Sequence, residues 1–240
     1  LIDTLSYDVA GVLRMGIRGI SFRERCGLSV HRVSGRVYMD SVLLSVPAFA
    51  LRTDHSSLDA SVHLPWKSMA EGKGGDLRLQ LKGEVGHQDV LALASGFVEP
   101  QLMASYPHKP LMLDADIHGN IDHLVMDRVN CSLPGIINLS AKGYVAEALH
   151  DTRRGSARIS LSTGDLSFVR ALLPADVRQS IGLPRMKADG NIAFSPQSYK
   201  ADLQMLCGKG RMAARAELAP RSERYKLSAV SKAFPIHAFL

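Results

Sequence analysis

Asp114, Asp116 and His118 occupy alternate positions in the segment DADIHGNIDH, with Asp122 and His123 close behind. Carboxylates beside imidazoles are a donor set for a divalent ion. On an extended strand these three side chains share one face, but same-face neighbours lie about 7 Å apart, so three of them reach one ion only with help from other strands. The wet side of a strand produces the same spacing. The expectation is a solvated face, with no metal ligands and no catalytic group assigned.

Other chemistry has less to build on. His31, His55, His63 and His87 have no carboxylate or cysteine at a consistent interval. Cys26, Cys131 and Cys207 lie far apart, with no CxxC pair and no ligand-spaced histidine. That argues against zinc or a redox dithiol and favours small apolar filler. There is no GxSxG elbow, no HExxH pair and no phosphate-binding loop, because EGKGGD at 71–76 lacks the hydroxyl residue after its lysine. The tripeptides Asn130-Cys131-Ser132 and Asn138-Leu139-Ser140 match glycosylation sequons but carry no weight alone. Arg23, Glu24 and Arg25 read as an exposed helix terminus, and Trp66, after Pro65, as a rim or hairpin anchor. Neither an enzyme nor a cofactor is expected.

Composition narrows the class further. The chain has 240 residues, 46% hydrophobic and 22% charged, which excludes an unfolded tail, a collagen-like rod and a coiled coil. Its net charge of +6 and pI of about 9.3 invite a nucleic-acid reading. The basic residues are scattered, however, and no RNA-binding aromatic signature or basic helix accompanies them, so no nucleic-acid partner is expected. The longest apolar run, VLLSVPAFAL at 42–51, is short of the roughly 18 residues of a membrane span and is broken by Ser45 and Pro47. Leu1 in place of Met, and the apolar ending AFPIHAFL, read as an internal piece of a longer protein.

The elements that position these residues are mostly strands. From about residue 58 onward, apolar and polar residues alternate with period two, the pattern of strands with one dry and one wet side. Leu58, Ala60, Val62 and Leu64 share a face, as do Leu77, Leu79, Leu81 and Val85. Leu111, Leu113, Ala115, Ile117, Gly119 and Ile121 alternate with Met112, Asp114, Asp116, His118, Asn120 and Asp122. Ile137, Leu139 and Ala141 continue the pattern, followed by Ile159 and Leu161, then Met186, Ala188, Ile192 and Phe194. Tyr199, Ala201, Leu203 and Met205 come next, then Met212, Ala214, Ala216 and Leu218, and last Tyr225, Leu227 and Ala229. Turn residues separate the runs at EGKGGD, LPGI, CGKGR and APRSER, which predicts a mainly antiparallel sheet.

Helical spacing is local. Leu5, Val9, Val12, Leu13 and Ile17 recur at three- and four-residue intervals up to Gly27, which predicts an N-terminal helical segment over 1–28 ahead of a repeated-strand segment over 29–240. Short helices are predicted after Gly86, capped by Asp89, and after Gly164, capped by Ser167, with a further turn over PADVRQSIG at 174–182. The stretches GHQDVLALA and GDLSFVRALL, with SKAFPIHAFL as a third, outline a loose repeat of several strands plus one helix. GNI at 119–121 and GNI at 190–192 echo each other, each closing one strand and preceding another.

Alternation alone also fits a β-sandwich with a closed core. The dry faces are aliphatic and poor in aromatics, which tips the balance toward a smooth open lining. SFRERCGLSVHRVSG at 21–35, DSVLLSVPAFALRTDHSSLDASVHL at 40–64 and the repeated units ending in phrases such as LSFVRALLP resemble the AsmA-like superfamily, specifically its TamB-type translocation and assembly proteins. The resemblance covers most of the chain and rests on patterns rather than on a signature motif.

That resemblance implies an elongated, curled antiparallel sheet, a U-shaped β-groove with a hydrophobic interior. It also implies a periplasmic segment of a protein anchored in the inner membrane. The implied activity is conduction of phospholipids between inner and outer membranes, with acyl chains as partners. A second implied role is assembly of outer-membrane β-barrel proteins, with a barrel partner reached through other parts of the parent chain. The implied groove lining is Leu58, Val62, Leu64, Leu77, Leu79, Leu81, Leu111, Leu113, Ile117, Ile121, Ile137, Leu139, Ile159, Leu161, Ile192, Phe194, Leu203, Met205, Met212, Leu218 and Leu227.

Overall fold

Period-two alternation calls for extended backbone, and the computed structural model of the chain adopts it almost throughout, describing residues 2–9, 11–25, 27–94, 104–173, 182–220 and 224–238. The first strands are β1 (Ile2–Tyr7), β2 (Leu13–Arg23), β3 (Ser29–Met39), β4 (Leu43–Thr53) and β5 (Ser57–Pro65). A 3-10 turn, Trp66–Met69, leads to β6 (Leu77–Val85) and helix α1 (His87–Ala94). Then come β7 (Leu111–Asn120), β8 (His123–Leu133), β9 (Ile137–Ala146), β10 (Arg154–Thr163) and helix α2 (Ser167–Leu172). The chain continues as β11 (Lys187–Ser195), β12 (Ser198–Cys207), β13 (Gly210–Ala219) and β14 (Arg224–Lys232), followed by a 3-10 turn, Ile236–Ala238.

All fourteen strands form one antiparallel sheet in chain order, and the sheet does not close, since β1 pairs only with β2 and β14 only with β13. At about 4.8 Å per interstrand gap, the sheet measures about 62 Å from β1 to β14 along its surface. Register keeps the dry sides together, because directly paired residues share a face. One continuous row of partners runs Val46, Val62, Leu79, Ile117, Met126, Gly143, Ala157, Ile192, Ala201, Ala216, Leu227 from β4 to β14. Where a bulge interrupts the ladder, as between Val46 and Phe49 around Pro47, the extra residues restore the phase so that Phe49 again joins Ala60 on the dry side.

No second layer among the described residues seals that face. The accessible surface is 15429 Å², against about 10,500 Å² expected of a compact monomer of this mass. Among the described residues the buried hydrophobics are Val30, Ile121, Leu133, Ile136, Ala146, Ala157, Ala188 and Cys207. Five of them, Val30, Leu133, Ile136, Ala188 and Cys207, lie at the strand ends along one rim, so the densest packing is at an edge of the face rather than between layers.

The same rim carries a repeat with a period of four strands. The chain leaves β6, β10 and β14 and closes each time onto the preceding hairpin. Gly86 sits so close to the β4–β5 turn that an added Cβ would lie 2.2 Å from the His55 carbonyl oxygen, and one on Gly164 would lie 2.0 Å from that of Gly135 in the β8–β9 turn. In the third unit Ala233 and Phe234 press on Gly210 of the β12–β13 hairpin. The three stretches singled out in the sequence are thus equivalent pieces of structure.

Four expectations need correction. Residues 1–28 are not helical, since β1 and β2 occupy most of them. In LRMGIRG the residues Leu13, Met15 and Ile17 alternate with Arg14, Gly16 and Arg18, and cross-strand pairing favours that period over the helical one. Arg23, Glu24 and Arg25 accordingly end a strand and enter a turn. The helix after Gly164 has no side-chain cap from Ser167; its first-turn Ser167 N–H donates to Asp165 Oδ1 at 2.9 Å. GNI at 190–192 lies in the middle of β11 and closes no strand. The turn predicted over 174–182 falls almost wholly outside the described residues.

This distribution of burial has a mechanical consequence. Leu133→Ala, at 2% exposure, should cost about 2–4 kcal/mol in denaturant unfolding, and Leu227→Ala, at 72% exposure, less than about 0.5 kcal/mol.

Candidate functional site: an uncovered apolar face

The sheet brings together nearly all of the residues expected to line a groove. Leu58, Val62, Leu64, Leu77, Leu79, Leu81, Leu111, Leu113, Ile117, Ile137, Leu139, Ile159, Leu161, Ile192, Phe194, Leu203, Met205, Met212, Leu218 and Leu227 occupy one face, linked from strand to strand by the pairing register. Leu79 faces Ile117, Leu139 faces Leu161, and Met205 faces Met212. None of these twenty is buried, and most are half-buried by their own neighbours. Leu139, Leu218 and Leu227 are exposed, most strongly at the β14 edge. Ile121 is the exception. It lies in the turn after β7, where its N–H donates to the Ser68 carbonyl at 2.9 Å and its own carbonyl accepts from Ala148, and it is buried at the opposite rim. It plugs the rim and does not line the face.

Alternation missed the residues of β2 to β4 that extend the face: Leu13, Met15 and Ile17, then Val33, Val37 and Met39, then Leu44, Val46, Phe49 and Leu51. The signal was present in LRMGIR and RVYM, but bulges at Ile17–Ile20, Val30–Arg32 and Gly35–Tyr38 break the count.

Side chains that cross between elements hold the helix-bearing rim. Asp89, read as a helix cap, lies in the first turn of α1, is 4% exposed, and accepts hydrogen bonds from the Thr53 and Ser56 hydroxyls of the β4–β5 turn. The Ser56 hydroxyl oxygen in turn accepts the Gly86 N–H at 3.0 Å. His87 stacks on Tyr106, with ring centres 5.6 Å apart, and Tyr106 meets Phe168 of α2 edge-on at 6.2 Å, so the connection after α1 reaches the next helix of the repeat. Burial pushes the Tyr106 phenol up from its ordinary value. At the opposite rim Trp66 donates from Nε1 to the Asp40 carbonyl at 2.7 Å, the anchoring role its position suggested.

The other face is polar and is crossed by ion pairs between strands. Asp114 pairs with Arg128 at 2.9 Å, His118 with Asp127 at 2.9 Å, and Asp116 accepts from Gln80 at 3.2 Å. The constellation DADIHGNIDH is therefore dispersed among separate partners, and no group of three potential metal ligands occurs among the described residues. Cys207 is buried and Cys131 half-buried, both as free thiols; Cys26 lies outside the described residues. A concavity of about 940 Å³ opens on this polar side between β2 and β8. No helix of the described residues is long and apolar enough to cross a membrane. No protein-family model, curated protein or solved structure matches the chain.

A face of this kind can hold aliphatic chains without orienting them, since it offers area and no directional polar group. Its rims are set partly by charge. The Asp165 carboxyl lies below the usual aspartate range because the Ser167 backbone N–H bonds its charged form; Asp40 is lowered by the Leu43 and Val42 N–H groups and Asp54 by His31. A carboxylate whose pKa is depressed by folding contributes stability above its unfolded value of about 4 and loses that contribution as the pH falls through the folded one. The thermal midpoint should therefore drop on acidification below about pH 4, and Asp40→Asn should flatten that drop while lowering the midpoint at pH 7.

Proposed function

We propose that the chain is a segment of a lipid-conducting bridge in the bacterial envelope, its apolar face carrying phospholipid acyl chains across the periplasm. The parent protein is anchored in the inner membrane and the traffic passes between inner and outer membranes. One observation carries this reading: an aliphatic face that continues from strand to strand across the sheet, with no layer among the described residues covering it. The resemblance to TamB-type proteins supports it independently.

The energetics favour such a surface. Each acyl methylene moved from water to an apolar environment recovers about 0.8 kcal/mol, so a lipid crossing an aqueous gap alone meets a barrier that scales with its chain length. A continuous lining removes most of that barrier. Leu, Ile, Val, Met and Ala offer contact without deep aromatic pockets or directional bonds, which suits sliding over retention. Strands of about ten residues present about 33 Å from rim to rim. The action is non-catalytic and needs no cofactor.

A second reading, assembly of outer-membrane β-barrel proteins, draws on the sheet edge: every residue of β14 is exposed, and its outer backbone groups face no described strand. One experiment separates the two. Photoreactive residues at Leu79, Ile117 and Leu203 should capture phospholipid in cells, and those at Arg78, Asp116 and Gln204 on the opposite face should not. Equal labelling of both faces, or none, overturns the lipid reading. Capture of barrel precursors at β14 with no lipid on the apolar face favours the second.

A further inference from the structure

Arg18 on β2, Arg32 and Arg36 on β3, Lys82 on β6 and Arg128 on β8 line a single concavity of about 940 Å³ on the polar side of the sheet. Two carboxylates, Asp59 and Asp114, share its wall. Both are already held by guanidinium groups, Asp59 by Arg52 at 2.7 Å and Asp114 by Arg128 at 2.9 Å. Arg18 pairs with Asp3 at the sheet edge at 2.7 Å. Among the described residues Arg32 and Arg36 have no carboxylate partner; the Arg32 Nε–H donates to the Arg18 carbonyl at 3.2 Å.

Arg32 stands directly opposite Arg52 in the β3–β4 ladder, where the Arg52 charge is met by Asp59 and Arg32 is left without a carboxylate of its own among the described residues. Arg32 and Arg36 are four residues apart on one strand, so they lie on the same face about 13 Å apart with Ser34 between them. Two unpaired guanidinium groups flanking a hydroxyl, in a cleft of small-molecule size, suit an anion with several separated negative groups. Guanidinium presents paired N–H donors that match phosphate oxygens, whereas a lone ammonium acts as a point charge. Ser61 and Gln80 on the same wall add neutral hydrogen-bonding groups for hydroxyls.

We infer that this cleft is a binding site for a phosphate-rich, hydroxyl-bearing anion, separate from the apolar face and independent of what that face carries. The anion is a free phosphate ester or the phosphorylated headgroup of a lipid.

Titration calorimetry with inositol hexakisphosphate as the probe tests this on the full chain. The wild-type protein should bind one equivalent with an affinity that falls as salt rises. Arg32→Ala with Arg36→Ala should weaken it by about tenfold or more. Lys142→Ala with Lys226→Ala, which removes the same charge from the same face outside the cleft, should leave it within about twofold. The arginine variant should melt close to wild type, because both side chains are exposed and neither has a carboxylate partner among the described residues, so weakened binding cannot be attributed to misfolding. Absence of binding to the wild type, or equal loss in both double variants, overturns the inference. Co-sedimentation with phosphatidylcholine vesicles containing phosphatidic acid identifies the source. Sedimentation abolished by the arginine substitutions supports a headgroup, and probe binding without sedimentation supports a free ester.

Discussion

A strand that is dry on one side must put something against that side, and among the described residues no second sheet does so. Every feature of the structure follows from that unmet demand. The dry sides are brought into one continuous surface by register, and adjacent side chains partly shelter each other. The few buried hydrophobic residues gather at the rims, where hairpins and short helices fold back. A closed sandwich of the same length would have spent these leucines on its own interior. Here they stay partly exposed on one face, and the accessible surface exceeds that of a compact protein of the same mass.

Much of this could be read from the residues. Period-two alternation located the dry face from Leu58 to Leu227 and placed Arg78, Asp116 and Gln204 opposite. The recurrence of GHQDVLALA, GDLSFVRALL and SKAFPIHAFL marks a unit of several strands plus one helix, and the structure sets its period at four strands. The limits were equally physical. Bulges in β2, β3 and β4 insert residues that break a strict count, so a stretch alternating Leu13, Arg14, Met15, Gly16 and Ile17 was outweighed by chance helical spacing. Ile121 kept the phase of β7 on paper but fell one residue past the strand into a turn. Asp89 looked like a cap because capping is local, whereas its partners, Thr53 and Ser56, lie more than thirty residues away, and nothing in a single sequence pairs them.

The two faces are shaped by opposite economies. On the dry side uniformity matters, and the residue types vary little from strand to strand. On the wet side position matters, and ion pairs such as Arg215–Asp202 and Lys200–Glu217 tie neighbours across the ladder at 2.7 and 3.0 Å. Exposed pairs of this kind are worth little individually, so their contribution is to fix register and keep the surface soluble more than to add stability. Arg32 and Arg36 of β3, which have no carboxylate partner among the described residues, differ from other basic residues in sharing one concavity with Arg18, Lys82 and Arg128.

Each strand pairs only with the strands before and after it, so the sheet grows in chain order. Such a protein need not wait for its last residue in order to fold. Each hairpin can dock on the one already formed, so assembly can proceed as a growing front rather than a single collapse, and adding or deleting one four-strand unit would lengthen or shorten the molecule without rebuilding what came earlier.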